Sequence, residues 1–242
     1  MRAFRTMVYR QFRRFFRAKS RLIGSVSNSI VWLLFFGIGF SGFVRGYMEI
    51  LAPGIFAMTV FNHSLMSGIS VIWDREFGFL KEVLVAPASR KECIAGRIFG
   101  DSIVAIVQGI LILLLSFALV RMDPLGVFPS VVLGFMLAIA FSSLGVCVAM
   151  RMRSMEGFQM IISLLMLPII FLSGALFPIE AMPGWMRLMA YMNPMTYAVD
   201  GVRFYLTHRC YIPIAIDWMA LSAFSIVILC IAMMSFERVT IE

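Results

Sequence analysis

Long charge-free stretches separated by short basic segments set the pattern of this chain. A hydrocarbon core about 30 Å thick needs about 20 helical residues. Five runs reach that length plainly: Leu22 to Val44, Ile50 to Trp73, Ser102 to Val120, Pro124 to Met150 and Trp218 to Phe236. A sixth, Gly157 to Ile179, carries Pro168 in its middle and closes in Leu172-Ser-Gly-Ala-Leu-Phe-Pro178. The proline removes one helix hydrogen bond, which predicts a kink whose freed carbonyl is satisfied by neighbouring helices. The pattern therefore predicts an all-α integral membrane protein with six transmembrane helices.

Two segments outside the spans have their own periodicity. Residues 1–21 predict an amphipathic interfacial helix: Phe4, Met7, Val8, Phe12, Phe15 and Phe16 recur at helical spacing, and Arg2, Arg5, Arg10, Arg13, Arg14 and Arg17 fill the other face. It is either a mechanical element or a topology anchor. Between the fifth and sixth spans, Ala181 to Tyr211 mixes Trp185, Met186, Leu188, Met189, Tyr191 and Met192 with Pro183, Gly184 and Pro194. This predicts two short apolar helices broken near Asn193-Pro194. They either dip into the outer leaflet under cover of protein or form a surface loop with interfacial aromatics.

Charge orients the spans. With a cytosolic amino terminus, 16 of the 21 Lys and Arg residues fall on the cytosolic side, leaving Arg45, Arg121, Arg187, Arg203 and Arg209 outside. That bias and an even span count place both termini in the cytosol of a multi-pass protein of the cytoplasmic membrane. At 61% hydrophobic and 14% charged, the chain has too little polar surface for a soluble globule. Its first apolar run exceeds the roughly 7 to 15 residues of a signal-peptide core. The net charge of +8 lies beside apolar runs and on no nucleic-acid module, so anionic headgroups or a protein partner are its expected counterparts. Cys93, Cys147, Cys210 and Cys230 have no metal or redox spacing.

Few groups inside the spans carry chemistry. Asn62, His63 and Gln108 lie deep in apolar runs and serve either as interhelical hydrogen bonders or as lining of a transport path. Asp101, four residues after Arg97, reads as an i,i+4 salt bridge at a membrane end. There is no G-x-x-x-x-G-K-[ST] phosphate loop, no His-Glu-x-x-His and no Gly-x-Ser-x-Gly, so neither an enzyme nor an ATP site of that type is expected. The longest internal cytosolic loop, residues 74–97, opens with Asp74, Arg75, Glu76, Phe77, Gly78, Phe79, Leu80, Lys81 and Glu82, and reaches Pro87. Its apolar positions suit a short amphipathic helix, either a docking element or a solvated loop.

The segment Asp74 to Pro87, then Leu172 to Pro178, then Asn193-Pro-Met-Thr-Tyr197 together resemble the ABC-2 permease family, in particular its daunorubicin-resistance and nodulation-type exporter branches. The likeness covers nearly the whole chain. It implies a six-span domain over residues 22–242, short re-entrant external helices within 178–211, and an interfacial helix beside an ATPase, with Phe4, Phe12, Arg13 and Phe16 on it. It also implies that Asp74, Arg75, Glu76, Phe77, Phe79, Leu80, Lys81, Glu82 and Pro87 couple to that ATPase. ATP and Mg would be bound by separate ABC ATPase subunits, the permease would pair with a second copy of itself, and this chain would hold no cofactor or metal. An ATP-independent channel or secondary transporter is the rival reading, and a non-transporting scaffold a third.

Overall fold

The computed structural model describes residues 2–17, 19–42, 46–78, 89–152 and 154–237. Among them every regular element is helical: α1 (Arg2–Arg17), α2 (Lys19–Ser41), α3 (Tyr47–Met66), α4 (Ile69–Glu76), α5 (Arg90–Phe117), α6 (Val127–Arg151), α7 (Met155–Phe171), α8 (Gly184–Met192), α9 (Pro194–Thr207) and α10 (Ile214–Glu237), with 3-10 turns at Pro124–Gly126 and Ile179–Ala181. The expected all-α class is what the chain adopts. Four stretches are long and apolar enough to cross a membrane: Tyr47–Glu76, Arg90–Phe117, Pro124–Arg151 and Ile214–Phe236. Apolar helix is shorter in the other two runs, at Ser27–Ser41 and Met155–Phe171.

α3, α5 and α6 pack on one another at the centre, α10 and α9 close on α6, and α2 and α7 lie at the margin. α3 is buried almost all round, as an apolar helix surrounded by others should be. The rings of Phe61 and Phe141 meet edge to face at 4.6 Å where α3 crosses α6. α10 turns Met219, Ile226 and Met234 outward, and α7 does the same with Met160, Leu164 and Leu167. Such apolar faces fit a hydrocarbon surround.

Two expected spans end differently from their sequence runs. The run Ile50 to Trp73 is divided at Ser67–Gly68, where the Gly68 Cα abuts the Gly145 carbonyl of α6, and the chain resumes as α4. α7 continues across Pro168 and stops at Phe171, so the proline does not break it. Its end comes from the following turn, where Gly174 has φ 76°, a left-handed conformation that glycine adopts at little cost. The Asn193 side chain then donates to the Ile169 carbonyl, covering one of the unpaired carbonyls at the α7 carboxyl end, and its Oδ1 caps α9 at the Met195 amide. The expected break between two short external helices falls at this residue.

α1 is more firmly attached than an interfacial anchor would be. It lies along α5 over Gly96 and Gly100, one helical turn apart. A Cβ on Gly96 would stand 2.6 Å from the Phe4 carbonyl, and one on Gly100 would stand 3.0 Å from the Gln11 Cβ. Phe4 packs edge to face on Phe99 at 5.6 Å, and Phe15 is buried beside the His63 ring. Phe12 is half-buried and Arg13 exposed, while the Phe16 side chain lies outside the described residues. Because the neighbour of Gly96 is backbone, Gly96→Val should push α1 off its seat at a cost of about 1–3 kcal/mol. A lower melting temperature in detergent and faster proteolysis at Arg5 and Arg13 would register that loss; an unchanged digestion pattern would contradict the seat.

Candidate functional site

At the end of the bundle that carries α1, an ion cluster is buried among three helices. Asp74 of α4 accepts from Arg10 of α1 at 2.6 and 3.1 Å and from Arg97 of α5 at 2.7 Å. Arg97 also donates to Ser70 Oγ at 2.6 Å. Fork-shaped guanidinium contacts to one carboxylate give strong, directional bonds. The salt bridge expected between Arg97 and Asp101 is thus corrected: burial makes Asp74, 23 residues away, the better-placed carboxylate, and Arg97 commits its terminal nitrogens to Asp74 and Ser70. Arg75 likewise turns inward and donates to the Met150 and Met152 carbonyls, where a cation complements the carboxyl end of α6. Arg14 lies over the Trp73 ring at 5.0 Å.

Next to this cluster lies a cavity of about 600 Å³, walled by α1, α2, α3, α4, α5 and α7. That volume falls within the roughly 300–1,000 Å³ typical of small-molecule sites. Asn62, His63 and Gln108, three polar residues from two separate spans, are brought together on its wall. Periodicity explains why: Thr59, Asn62, His63 and Met66 share one face of α3, and Asp101, Val104 and Gln108 share one face of α5. Gln108 is fully buried, and neither of its amide atoms has a hydrogen-bond partner among the described residues. The same holds for Asn62 Oδ1 and Gln11 Nε2. Buried polar atoms without partners are costly, so this arrangement is the signature of a space filled by water or a polar ligand.

Sequence reasoning missed several of these wall residues. Asp101 was legible in principle, because it stands seven residues before Gln108 on one helix face. Gln11 read as one polar position of an interfacial helix, whereas Asn28 and Gln159 lie inside the runs Leu22 to Val44 and Gly157 to Ile179 and carried the same signal as Asn62, but were passed over.

Of the expected coupling residues, Glu76 and Phe77 are exposed at the end of α4, Phe77 by 82%. Gly78, at φ 77°, terminates the helix. Phe79, Leu80, Lys81, Glu82 and Pro87 lie outside the described residues. Asp74 and Arg75, expected to orient a partner, have the internal partners given above.

The opposite end is closed by a second polar group. Arg203 of α9 is fully buried, donates to the Gly174 carbonyl at 2.6 Å, approaches Asp200 at 3.8 Å and lies over the Tyr211 ring. Asp200 accepts from the amides of Tyr211 and Ile212. Burial lifts the Asp200 carboxyl above its ordinary range, and those amides together with Arg203 oppose the lift. An external loop charge was the expectation for Arg203; its deep burial is the correction.

Long apolar helices around a polar cavity make this a polytopic membrane protein. The chain belongs to the ABC-2 type transporter family, whose model matches residues 2–207. It is 31% identical over 219 residues to a transport permease named ycf38 from Cyanophora paradoxa, covering 85% of this chain and 74% of that one. Against the daunorubicin resistance ABC transporter permease protein DrrB1 of Streptomyces coeruleorubidus it is 29% identical over 212 residues, 82% of this chain and 72% of the relative. The inner membrane transport permease YadH of Escherichia coli K12 is 24% identical over 160 residues, 65% and 62% of the two chains.

Removing one partner of a buried ion pair leaves an uncompensated charge, at a cost of about 3–5 kcal/mol. Asp74→Asn should therefore destabilise the protein by about that much, and the Asp74→Asn, Arg97→Met double variant should recover part of the loss. Melting temperatures of the three proteins check this; equal losses in the single and double variants would contradict it.

Proposed function

We propose that this chain is the membrane-spanning subunit of an ATP-driven exporter, pairing with a second copy of itself and with separate ABC ATPase subunits that bind ATP and Mg. In this reading α2 and α7 cross the membrane together with the four longer stretches, giving six spans with both termini cytosolic. α8 and α9 then enter the outer membrane zone without crossing. The basic residues support that orientation, since it leaves 16 of the 21 in segments assigned to the cytosol. Related permeases carry transport in their names, and one is named for daunorubicin resistance.

The observation that carries the reading is the course of α4. Ser70 and Trp73 wall the cavity, Asp74 is tied to α1 and α5, and one turn later Phe77 stands exposed where the helix ends. A push on Phe77 and the residues after it is therefore delivered to the cavity through one short rigid helix. ATP binding does work on the permease only if it favours one docked arrangement over another. In the arrangement it favours, α4 moves with the Arg10 and Arg97 ends of its neighbours, and the cavity changes its access. The outer face of α1, with Arg5, Tyr9 and Arg13 exposed, lies beside this point and completes the ATPase contact.

Aromatic and apolar anchors dominate such contacts, with truncation costs of about 2 kcal/mol or more. The Phe77→Ala, Leu80→Ala double variant should insert normally yet lose ATPase association about thirtyfold, or retain hydrolysis without export. Co-purification and vesicle transport measured together check this. Unchanged binding and transport would favour an ATP-independent channel or carrier.

A further inference from the structure

On the footing of the transport reading, we propose that the cavity binds the headgroup of an amphiphile, and that this headgroup is uncharged and rich in hydroxyls. Five primary amides face the cavity, from Gln11, Asn28, Asn62, Gln108 and Gln159. Each places an NH2 donor beside a carbonyl acceptor, the complement of adjacent hydroxyls that both donate and accept. The unpartnered amide atoms of Gln108 and the Asn62 Oδ1 are the groups such a ligand would satisfy. Phe15 and Trp73 supply ring surface on the same wall for the C–H faces of a polyol ring.

Charge argues in the same direction. Among the described wall residues Arg14 is the permanent cation, His63 a second basic group and Asp101 the carboxylate, and Arg97 lies close enough to act on Asp101. A cationic headgroup at Asp101 would meet the Arg14 and Arg97 charges, and an anionic one at Arg14 would meet Asp101. A neutral, hydrogen-bonding group meets no like charge at either side chain.

The tail follows from the position of the mouth. Asn28 of α2 and Gln159 of α7 are the exposed wall residues. Beyond Asn28, α2 exposes Val31, Phe35 and Ile38; beyond Gln159, α7 exposes Met160, Leu164 and Leu167. Apolar tracks leading away from a polar pocket accept acyl chains while the headgroup remains inside.

The test uses the full-length protein in detergent, incubated with four lipids that share dioleoyl tails: monoglucosyl-diacylglycerol, diacylglycerol, phosphatidylglycerol and the cationic trimethylammonium-propane lipid. Retention is read by native mass spectrometry. The glucosyl lipid should be retained about tenfold better than the other three, and Gln108→Leu should remove most of that preference, as loss of a buried hydrogen-bond pair implies. Asn62→Ala is a second variant on the facing helix and should act alike, while melting temperatures confirm that both proteins fold. Preference for the cationic or anionic lipid, equal retention of all four, or preference surviving both substitutions would overturn the proposal. ATPase co-purification, measured on the same preparations, keeps the two readings apart. Coupled hydrolysis without lipid preference rejects only the headgroup assignment. Lipid preference in a protein that recruits no ATPase rejects only the ATP-driven reading.

Discussion

The carboxylate of Asp74 is the constraint on which the α1 end of this protein depends. It is buried, and burying an isolated charge in a bundle of this kind is prohibitive. Two arginines from two other helices make it tolerable, so α1, α4 and α5 must meet at one point. The glycine seat at Gly96 and Gly100 permits that meeting by letting the α1 backbone approach α5. Neither feature suffices alone: the seat without the ion cluster leaves Asp74 unpaired, and the cluster without the seat holds Arg10 too far away. The cavity lies beside this junction, and α1 and α4 contribute Gln11 and Trp73 to its wall.

The other end is held by polar contacts of a different kind. Arg203, Asp200 and Asn193 bond mainly to backbone groups, at Gly174, Tyr211, Ile212 and Ile169. They satisfy the carbonyls and amides that short, broken helices leave unpaired, which apolar side chains cannot do. The turn from Leu172 to Pro178 is packed over α3 in the same region, where Tyr47 donates to the Leu176 carbonyl at 2.9 Å. One end thus joins helices mainly through charge on charge, the other mainly through polar side chains on backbone.

The helical class, the positions of the runs and the break at Asn193 were legible in the sequence because each depends on local pattern: apolar length, period and proline. Asn62, His63 and Gln108 stood out because polar groups inside apolar runs need an explanation. What was not legible required partners distant along the chain. Asp74 and Arg97 are 23 positions apart, so the local reading assigned Arg97 to Asp101 and turned Asp74 outward. Arg203 read as a loop charge because nothing local signals a carbonyl waiting 29 residues upstream at Gly174. The Gly96 and Gly100 pair was not singled out, because its spacing permits a close helix approach without saying which helix arrives.

In the proposed transport cycle, Asp74 carries motion from an ATPase docked at the exposed end of α4 to the helices around the cavity. Spin labels at Arg17 on α1 and Phe128 on α6, both exposed, report the distance between those elements in the complex with its ATPase. ATP and Mg should shift the distance distribution in the wild-type complex. In Asp74→Asn complexes selected for intact assembly, the ATPase should remain bound and the shift should be lost. An equal shift in both complexes would contradict this role of Asp74.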